Sequence, residues 1–238
     1  MPIILAVDTS AKPVSCAIAQ DQRILGAFYA NNGLTHSQTL MPMIEQLLSI
    51  TGLTVDQLDA VAVNAGPGSF TGVRIGVSAV KGIAFSHNLP CISVSTLEAM
   101  AHQIAAIPGT IICGAMDARC QQVYSALFLL DEAGELVRLT DDAALSLADL
   151  ETLLKQQDRP IILVGDGSEL CYKTLKEAVP NLTLAPAPVR YQNASGTAMI
   201  AVKKFSNSET IDAEALLPEY LRLPQAEREL NSRLNKES

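Results

Sequence analysis

Hydrophobic and polar positions change their period several times along the first part of the chain. Residues 3–8 form a continuous apolar run that ends at an aspartate, which predicts a buried strand. Residues 14–20 and 23–30 alternate loosely around an Asp-Gln turn, and this pattern indicates a β-hairpin. Thr35 is a candidate N-cap for a helix that runs to about Thr51, because apolar residues recur there with the helical period and a glycine follows.

A second predicted helix is rich in small residues. It begins after Ser69, a candidate N-cap, and continues to about His87. Its interior glycines, Gly72, Gly76 and Gly82, each cost about 1 kcal/mol relative to alanine. Because Gly72 and Gly76 lie four residues apart on one face, they predict the close approach of another helix, from this chain or from a partner. The helix is apolar nearly all round, which predicts a buried helix or an interface helix.

Strands and helices alternate through the rest of the chain. Strands are predicted at 58–65, 90–94, 110–116, 121–130, 135–140 and 160–164, and helices after Ser95 and at 146–156, 168–178 and 195–206. The order βββαβα therefore occurs twice, which favours an α/β fold with largely parallel central pairing. We expect two lobes, residues 1–106 and 107–238, divided within 105–109, and a charged tail after Pro224.

Composition and charge exclude several classes of protein. The chain has 238 residues, 48% of them apolar, and a mean hydropathy of +0.23, so it is not disordered. No window approaches the roughly 18 apolar residues of a membrane-spanning helix, and the apolar start lacks the basic residues of a signal peptide, so we expect a cytoplasmic protein. The net charge is −8, and the first 110 residues carry only four basic side chains. Direct binding to nucleic acid is therefore not expected, and any such role should run through a partner.

Cysteines and histidines show neither a disulfide pattern nor a metal-binding pattern. The five cysteines are odd in number and contain no Cys-x-x-Cys, which predicts reduced thiols that behave as small apolar residues. The three histidines, His36, His87 and His102, never stand three or four residues apart, so no helical metal-binding pair is present.

Two segments are compared with phosphate-binding loops. Asp8, Thr9 and Ser10 follow a buried strand and could receive an anion, with the aspartate near a metal, but an Asx- or ST-turn is the commoner alternative. The segment 66–72 opens a helix, yet its glycine spacing fits neither G-x-G-x-x-G nor the Walker pattern, and Pro67 removes one N–H donor. The spacing therefore does not indicate a nucleotide site.

Candidate catalytic residues are few. No G-x-S-x-G, H-E-x-x-H or Cys-His motif occurs. Asp117, Arg119 and Tyr124 form a polar group at the start of a predicted strand, where Asp117 and Arg119 could pair. The commoner alternative is a purely structural ion pair, because such pairs are frequent and weak.

A series of motifs resembles one bacterial family. The segment 64–76, Asn-Ala-Gly-Pro-Gly-Ser-Phe-Thr-Gly-Val-Arg-Ile-Gly, closely resembles the signature of the TsaB family, also called YeaZ. Further matches follow in order: Val7 to Ser10, His36 to Pro42, Ser93 to Leu97, Met116 to Arg119, Val123-Tyr124 and Pro218 to Arg222. The resemblance covers nearly the whole chain, and the glycine-rich pattern is specific.

The resemblance implies the actin-like, sugar-kinase-like ATPase fold with two related lobes. TsaB proteins work with TsaD and the ATPase TsaE to transfer threonylcarbamoyl from threonylcarbamoyl-AMP to N6 of adenosine 37 in tRNAs that read codons beginning with A. TsaD carries the chemistry and a metal held by paired histidines, whereas here Leu40 stands four residues after His36, so the second ligand is missing. The resemblance implies a scaffold without catalytic residues, metal or cofactor of its own, with ATP or ADP only at a site shared in the complex.

The resemblance also implies where partners bind. TsaB proteins bind TsaD through the first two helices and form homodimers through the same face, with tRNA contacted only indirectly and no membrane involved. The expected interface residues are Leu40, Met41, Ile44, Leu48, Phe70, Val73, Arg74 and Val77. Gly72 and Gly76 would provide close helix packing, and Asp8, Thr9 and Ser10 would be a vestigial phosphate loop.

Two other functions are kept as alternatives. The chain could be an independent ATPase or small-molecule kinase of the same fold, although it has at best the fragments 8–10 and 165–167 of phosphate loops. It could also be a metallopeptidase, a label once given to this superfamily, although the histidine pair is absent. ATP turnover by the isolated protein would separate the first alternative from a scaffold.

Overall fold

Two β-sheets form the framework of the protein, and the computed structural model describes residues 1–104 and 107–222. The strands of the first sheet are β1 (Ile3–Asp8), β2 (Val14–Gln20), β3 (Arg23–Ala30), β4 (Ala60–Gly66) and β5 (Cys91–Ser95). Their order is β3-β2-β1-β4-β5. β2 and β3 form the predicted hairpin, and β1, β4 and β5 pair in parallel, so both expectations are confirmed.

The second sheet is built from the second half of the chain. Its strands are β6 (Ile111–Asp117), β7 (Gln122–Leu130), β8 (Leu136–Arg138), β9 (Ala143–Ser146), β10 (Ile161–Val164) and β11 (Leu182–Leu184). Their order is β11-β10-β6-β7-β8, with β9 paired to β7. Strands β9 and β11 are not predicted from the sequence, because neither carries a continuous run of large apolar residues like that of β10.

Helices cover both sheets. They are α1 (His36–Thr51), α2 (Phe70–His87), α3 (Thr96–His102), α4 (Leu147–Lys155), α5 (Ser168–Leu175) and α6 (Ala194–Ser206). Gly52, whose φ is 69°, follows the last residue of α1 as its C-cap, and the Ser69 side chain caps α2, as predicted. Thr35 precedes α1 but makes no capping bond through its side chain. Within the described ranges, no helix has the length and apolar character needed to cross a membrane.

The first sheet is covered on both faces. Leu5 and Val7 of β1 share a core with α1 and α2, whereas Ile4 and Ala6 share one with α6. A strand buried on both sides needs no polar alternation, which explains the continuous apolar run at residues 3–8. The α6 residues in this contact are mostly small, and they include Ala194, Ala198 and Ala201.

Helices α3 and α6 each pack against the sheet formed by the other half of the chain. α3 packs against the second sheet, whereas α6 packs against the first. The two helices are also in close contact: Gly196 of α6 lies so near α3 that a Cβ on it would overlap the carbonyl oxygen of Ala99. The predicted lobe boundary, within 105–109, lies partly outside the described residues, and the charged tail after Pro224 lies wholly outside them. The division into lobes stays a prediction.

Candidate functional site

The exposed surface of α1 and α2 differs from the expected interface. Five of the expected residues are buried in the core against the first sheet, namely Leu40, Ile44, Leu48, Val73 and Val77. The expectation is wrong for Ile44, Leu48, Val73 and Val77, because the strongest apolar stripe of each helix packs on the chain's own sheet. Leu40 is buried in the same core but also lines the groove between the two helices, so its place at an interface stays a prediction. Met41 and Arg74 are exposed, and Phe70 is partly exposed.

A groove of about 430 Å³ lies between α1 and α2. Its lining is Ser37, Leu40, Met41, Thr71, Arg74, Ile75, Ser78 and Ala79. Arg74 is the one charged residue of this lining, and the others are apolar or carry a small hydroxyl. The groove is therefore an apolar contact surface that contains a single cation.

Gly72 and Gly76 face the turn after β1 and not another helix. A Cβ at Gly72 would overlap the carbonyl oxygen of Thr9, and a Cβ at Gly76 would lie 2.5 Å from the Thr9 hydroxyl oxygen. The expectation of helix packing is wrong here, because the missing side chains instead allow the β1 turn to approach α2. Gly82 differs from both, since a Cβ there would meet nothing within 4 Å.

The turn formed by Asp8, Thr9 and Ser10 is held by its own hydrogen bonds. Oδ1 of Asp8 accepts from the N–H of Ser10 at 2.8 Å and from its hydroxyl at 2.6 Å, which is the Asx-turn alternative. Oδ2 of Asp8 is buried without a partner among the described residues. Burial raises the pKa of the Asp8 carboxyl above its ordinary value, and the hydrogen bonds from Ser10 offset this only in part.

The glycine-rich loop before α2 closes onto the same turn. The N–H of Ser69 donates a 2.6 Å hydrogen bond to the carbonyl oxygen of Ser10, and a Cβ at Gly68 would lie 2.5 Å from that oxygen. The N–H of Ser69 is therefore used within the protein. The structure brings the two suspected phosphate segments and the glycine face of α2 into one packed unit.

A cleft of about 580 Å³ lies beside this unit and is lined by both halves of the chain. The cations in its lining are Lys12, Arg119 and Arg222, and the carboxylates are Asp117 and Asp166. Burial raises the pKa of Asp166, which accepts a 3.3 Å hydrogen bond from the N–H of Asp117. The cleft therefore combines both signs of charge.

The expected pairing of Asp117 with Arg119 takes another form. Oδ1 of Asp117 accepts the backbone N–H of Arg119 at 2.7 Å, not its guanidinium. Arg119, Cys120 and Gln121 all have left-handed backbones, with φ of 62°, 53° and 58°. Such a run of non-glycine residues is costly and gives no sequence signal. Tyr124 lines the cleft with Asp117 and Arg119, so the structure does bring the predicted polar group together.

Residues 211–222, named here the C-terminal strap, cross the first half of the molecule and reach the cleft. The N–H of Glu219 donates a 2.7 Å hydrogen bond to the carbonyl oxygen of Ala65. The guanidinium of Arg222 donates at 2.7 Å to the carbonyl oxygen of Ala118. The Pro-Glu-Tyr-Leu-Arg motif of this segment does not predict these contacts, because contacts so distant in sequence leave no local pattern.

Tyr220 of the strap forms a cluster with Phe70 and Arg74 of α2. The two ring centroids are 4.6 Å apart, and the guanidinium carbon of Arg74 lies 3.7 Å from the Phe70 centroid. Nε of Arg74 donates a 2.7 Å hydrogen bond to the Tyr220 hydroxyl. The cluster joins the two cavities, because Arg74 lines the groove, both rings line the cleft, and Thr71 lines both.

Cysteine and histidine environments are unlike those of reactive or metal-binding sites, apart from one exposed thiol. Cys120 is exposed and the other four cysteines are buried. Burial raises the pKa of Cys16 to about 12 and that of Cys91 to about 11. His36 Nε2 lies 3.1 Å from the carbonyl oxygen of Lys12. Residues 1–104 and 107–222 contain no group of three or more His, Cys, Asp or Glu side chains placed to hold a metal.

Sequence comparison identifies relatives over nearly the whole chain. Residues 31–230 match the family model described as TsaD, tRNA N6-adenosine threonylcarbamoyltransferase. A Bacillus subtilis protein named tRNA threonylcarbamoyladenosine biosynthesis protein TsaB is 31% identical, over 94% of this chain and 96% of that protein.

Comparison with solved structures also identifies similar proteins over nearly the whole chain. A Pseudomonas aeruginosa protein described as similar to peptidase YeaZ superposes with a TM-score of 0.76 at 28% identity, covering 93% of this chain and 100% of that one. Component A of (R)-2-hydroxyglutaryl-CoA dehydratase from Acidaminococcus fermentans gives a TM-score of 0.51 at 13% identity, over 87% of this chain and 100% of its own, which bears on the fold alone. The actin-like, sugar-kinase-like ATPase fold is confirmed. With this fold, the shared motifs and a relative matched over nearly its full length, the chain belongs to the TsaB (YeaZ) family.

Proposed function

We propose that the protein is a non-catalytic scaffold subunit that works with TsaD and TsaE. The complex would transfer threonylcarbamoyl from threonylcarbamoyl-AMP to N6 of adenosine 37 in tRNAs that read codons beginning with A. The observation that carries the proposal is the near full-length match to a protein named for tRNA threonylcarbamoyladenosine biosynthesis.

Two features of the structure support a scaffold role over an independent ATPase. The Asp8–Ser10 turn and the loop before α2 hydrogen-bond to each other, which leaves fewer N–H donors for a phosphate. The groove between α1 and α2 is apolar and accessible, which suits a helix of a partner. In this proposal TsaD occupies the groove, and a second copy of the chain competes for it.

The charge of the chain supports an indirect role toward tRNA. With a net charge of −8, the protein lacks the excess of lysine and arginine that drives autonomous binding to phosphates. Any ATP or ADP would bind at a site shared with a partner, and the complex would act in the cytoplasm.

Reconstitution tests the proposed role. Purified protein is combined with TsaD, TsaE, threonylcarbamoyl-AMP and unmodified tRNA, and each component is omitted in turn. We expect modification only when TsaD is present and no ATP turnover by this protein alone. Modification without TsaD, or sustained ATP turnover by the isolated chain, would contradict the scaffold role.

A matched pair of variants tests the groove. Met41 in the groove and Val137 on β8 are similarly exposed, at 40% and 43%. Met41→Glu should abolish TsaD binding because it places a charge in an apolar contact, whereas Val137→Glu should bind like the wild type. Calorimetry with TsaD, alongside circular dichroism of both variants, measures this. Normal binding by a folded Met41→Glu variant would place the interface elsewhere.

A further inference from the structure

We infer that Arg74 is a preformed receptor for a carboxylate, and that the TsaD helix seated in the α1–α2 groove carries an aspartate or glutamate opposite it. The inference rests on the proposed function, because it names the chemistry by which the partner is recognised at the same groove.

The guanidinium of Arg74 is held in place before any partner binds. It lies over the Phe70 ring at 3.7 Å, and its Nε donates to the Tyr220 hydroxyl at 2.7 Å. Tyr220 is itself stacked on Phe70, with centroids 4.6 Å apart. Arginine normally loses much rotamer freedom on binding, so a side chain already fixed by two contacts loses less.

The terminal nitrogens of Arg74 have no hydrogen-bond partner in the part of the chain that the structure describes. Among the described residues, Arg74 makes a hydrogen bond through Nε alone and takes part in no salt bridge. Other arginines of the chain use these nitrogens on carboxylates, as Arg138 does with Glu98 at 2.8 Å and Arg190 with Glu169 at 2.7 Å. Arg74 thus has the same donors on an exposed helix face, and no residue within 1–104 and 107–222 occupies them.

The surroundings of Arg74 select a carboxylate on an otherwise apolar helix. A planar guanidinium binds a carboxylate through two parallel hydrogen bonds, which gives orientation as well as affinity. The rest of the groove lining is uncharged, so a single acidic residue of the partner would neutralise the charge of the lining. The lining contains no carboxylate of its own, and a second copy presenting the same residues has none there to offer. The charge pattern therefore favours a different protein over a homodimer.

Substitution of Arg74 gives the first test. Arg74→Gln should weaken TsaD binding by about 30-fold or more, and the remaining affinity should depend less on NaCl. Tyr220→Phe keeps the ring but loses the hydroxyl that orients Nε, so a loss of about 3-fold to 10-fold is expected. Arg23→Gln, at an exposed arginine of β3, is the matched control and should bind normally. Folded Arg74→Gln protein with wild-type affinity and salt dependence would overturn the inference.

Charge reversal identifies the acidic residue and separates the two proposals. Arg74→Glu should abolish binding, and one Asp→Lys or Glu→Lys substitution on the contacting TsaD helix should restore it. If Met41→Glu abolishes binding but no lysine variant rescues Arg74→Glu, the carboxylate inference is wrong and the groove assignment stands. If Met41→Glu binds TsaD normally, the groove assignment itself fails. A homodimer weakened by Arg74→Gln beside unchanged TsaD binding would also overturn the inference.

Discussion

The hydroxyl of Thr9 donates a 2.7 Å hydrogen bond to the backbone carbonyl of Gly72, which ties the end of β1 to the first turn of α2. The contact is possible because residue 72 has no side chain, since a Cβ there would overlap the Thr9 carbonyl oxygen. A helix glycine costs about 1 kcal/mol in propensity, and here close packing offsets that cost.

Gly72→Ala should therefore destabilise the protein despite its better helix propensity. We expect a loss of about 1–3 kcal/mol in the free energy of unfolding, because the new methyl group meets backbone that cannot move aside cheaply. Gly82→Ala is the control in the same helix, where the methyl group meets open space and should stabilise by up to about 1 kcal/mol. Urea denaturation of both variants measures the difference. Equal stability of the two would refute the close approach at Thr9.

Val73→Glu should unfold or severely destabilise the protein. Val73 is 1% exposed and lies in the core of the first sheet, so the variant would bury an unpaired carboxylate at a cost of several kcal/mol. The neighbouring position gives the contrast, because Arg74→Glu places its charge on the exposed face and should fold normally. Thermal unfolding followed by circular dichroism distinguishes the two. A Val73→Glu variant as stable as Arg74→Glu would show that residue 73 faces solvent.

Asp8 should make the protein less stable as pH rises. Its pKa is raised by burial above the ordinary 3.8, so the unfolded chain ionises first. The contribution of this group is fully present below 3.8 and is lost as pH rises through the folded pKa. Asp8→Asn removes the titration and keeps an oxygen that accepts from Ser10. The stability of Asp8→Asn relative to wild type should therefore be more favourable at about pH 7.5 than at about pH 4.

Chemical denaturation at the two pH values measures this linkage. Asp141→Asn, which makes the same substitution at an exposed aspartate, is measured alongside as the control. An Asp8→Asn variant whose relative stability does not change with pH would contradict the burial of the Asp8 carboxylate.

One thiol should react quickly in the native protein. Cys120 is exposed, whereas the other four cysteines are buried, and burial raises the pKa of three of their thiols to between about 11 and about 12. Labelling with a thiol-reactive disulfide should therefore modify one cysteine in the folded protein and all five after denaturation. Cys120→Ser should abolish the fast phase. Rapid modification at any other position in the native state would contradict the packing.

The order of elements could be predicted because it depends on local period. The run at residues 3–8, the hairpin and the helical pattern of α1 each specify one element and its faces. The sheet against which α6 packs could not be predicted, because the small residues of α6 indicate close packing but do not identify the sheet. The left-handed run at 119–121 was also beyond prediction, since none of its residues is a glycine.

At the candidate site, hydrophobic periodicity does not predict which helix residues face a partner. An apolar helix stripe has the same spacing whether it faces the chain's own sheet or another protein, so spacing predicts an interface at Val73 and Val77, which lie in the core. The exposed face of α2 includes Arg74 and Ser78, each of which directly follows one of these buried valines. Spacing alone also could not reveal that Tyr220 would complete this face, because the strap reaches it from the opposite end of the chain.

The position of α6 determines when the first sheet can be finished during synthesis. The face of that sheet carrying Ile4 and Ala6 is covered by residues 194–206, which leave the ribosome only after the whole second sheet has been made. Domains generally fold as units in the order in which they emerge, but here the N-terminal half emerges with one face of its sheet still open. Translation of that half and completion of its core are thus separated in time by the synthesis of the whole second sheet.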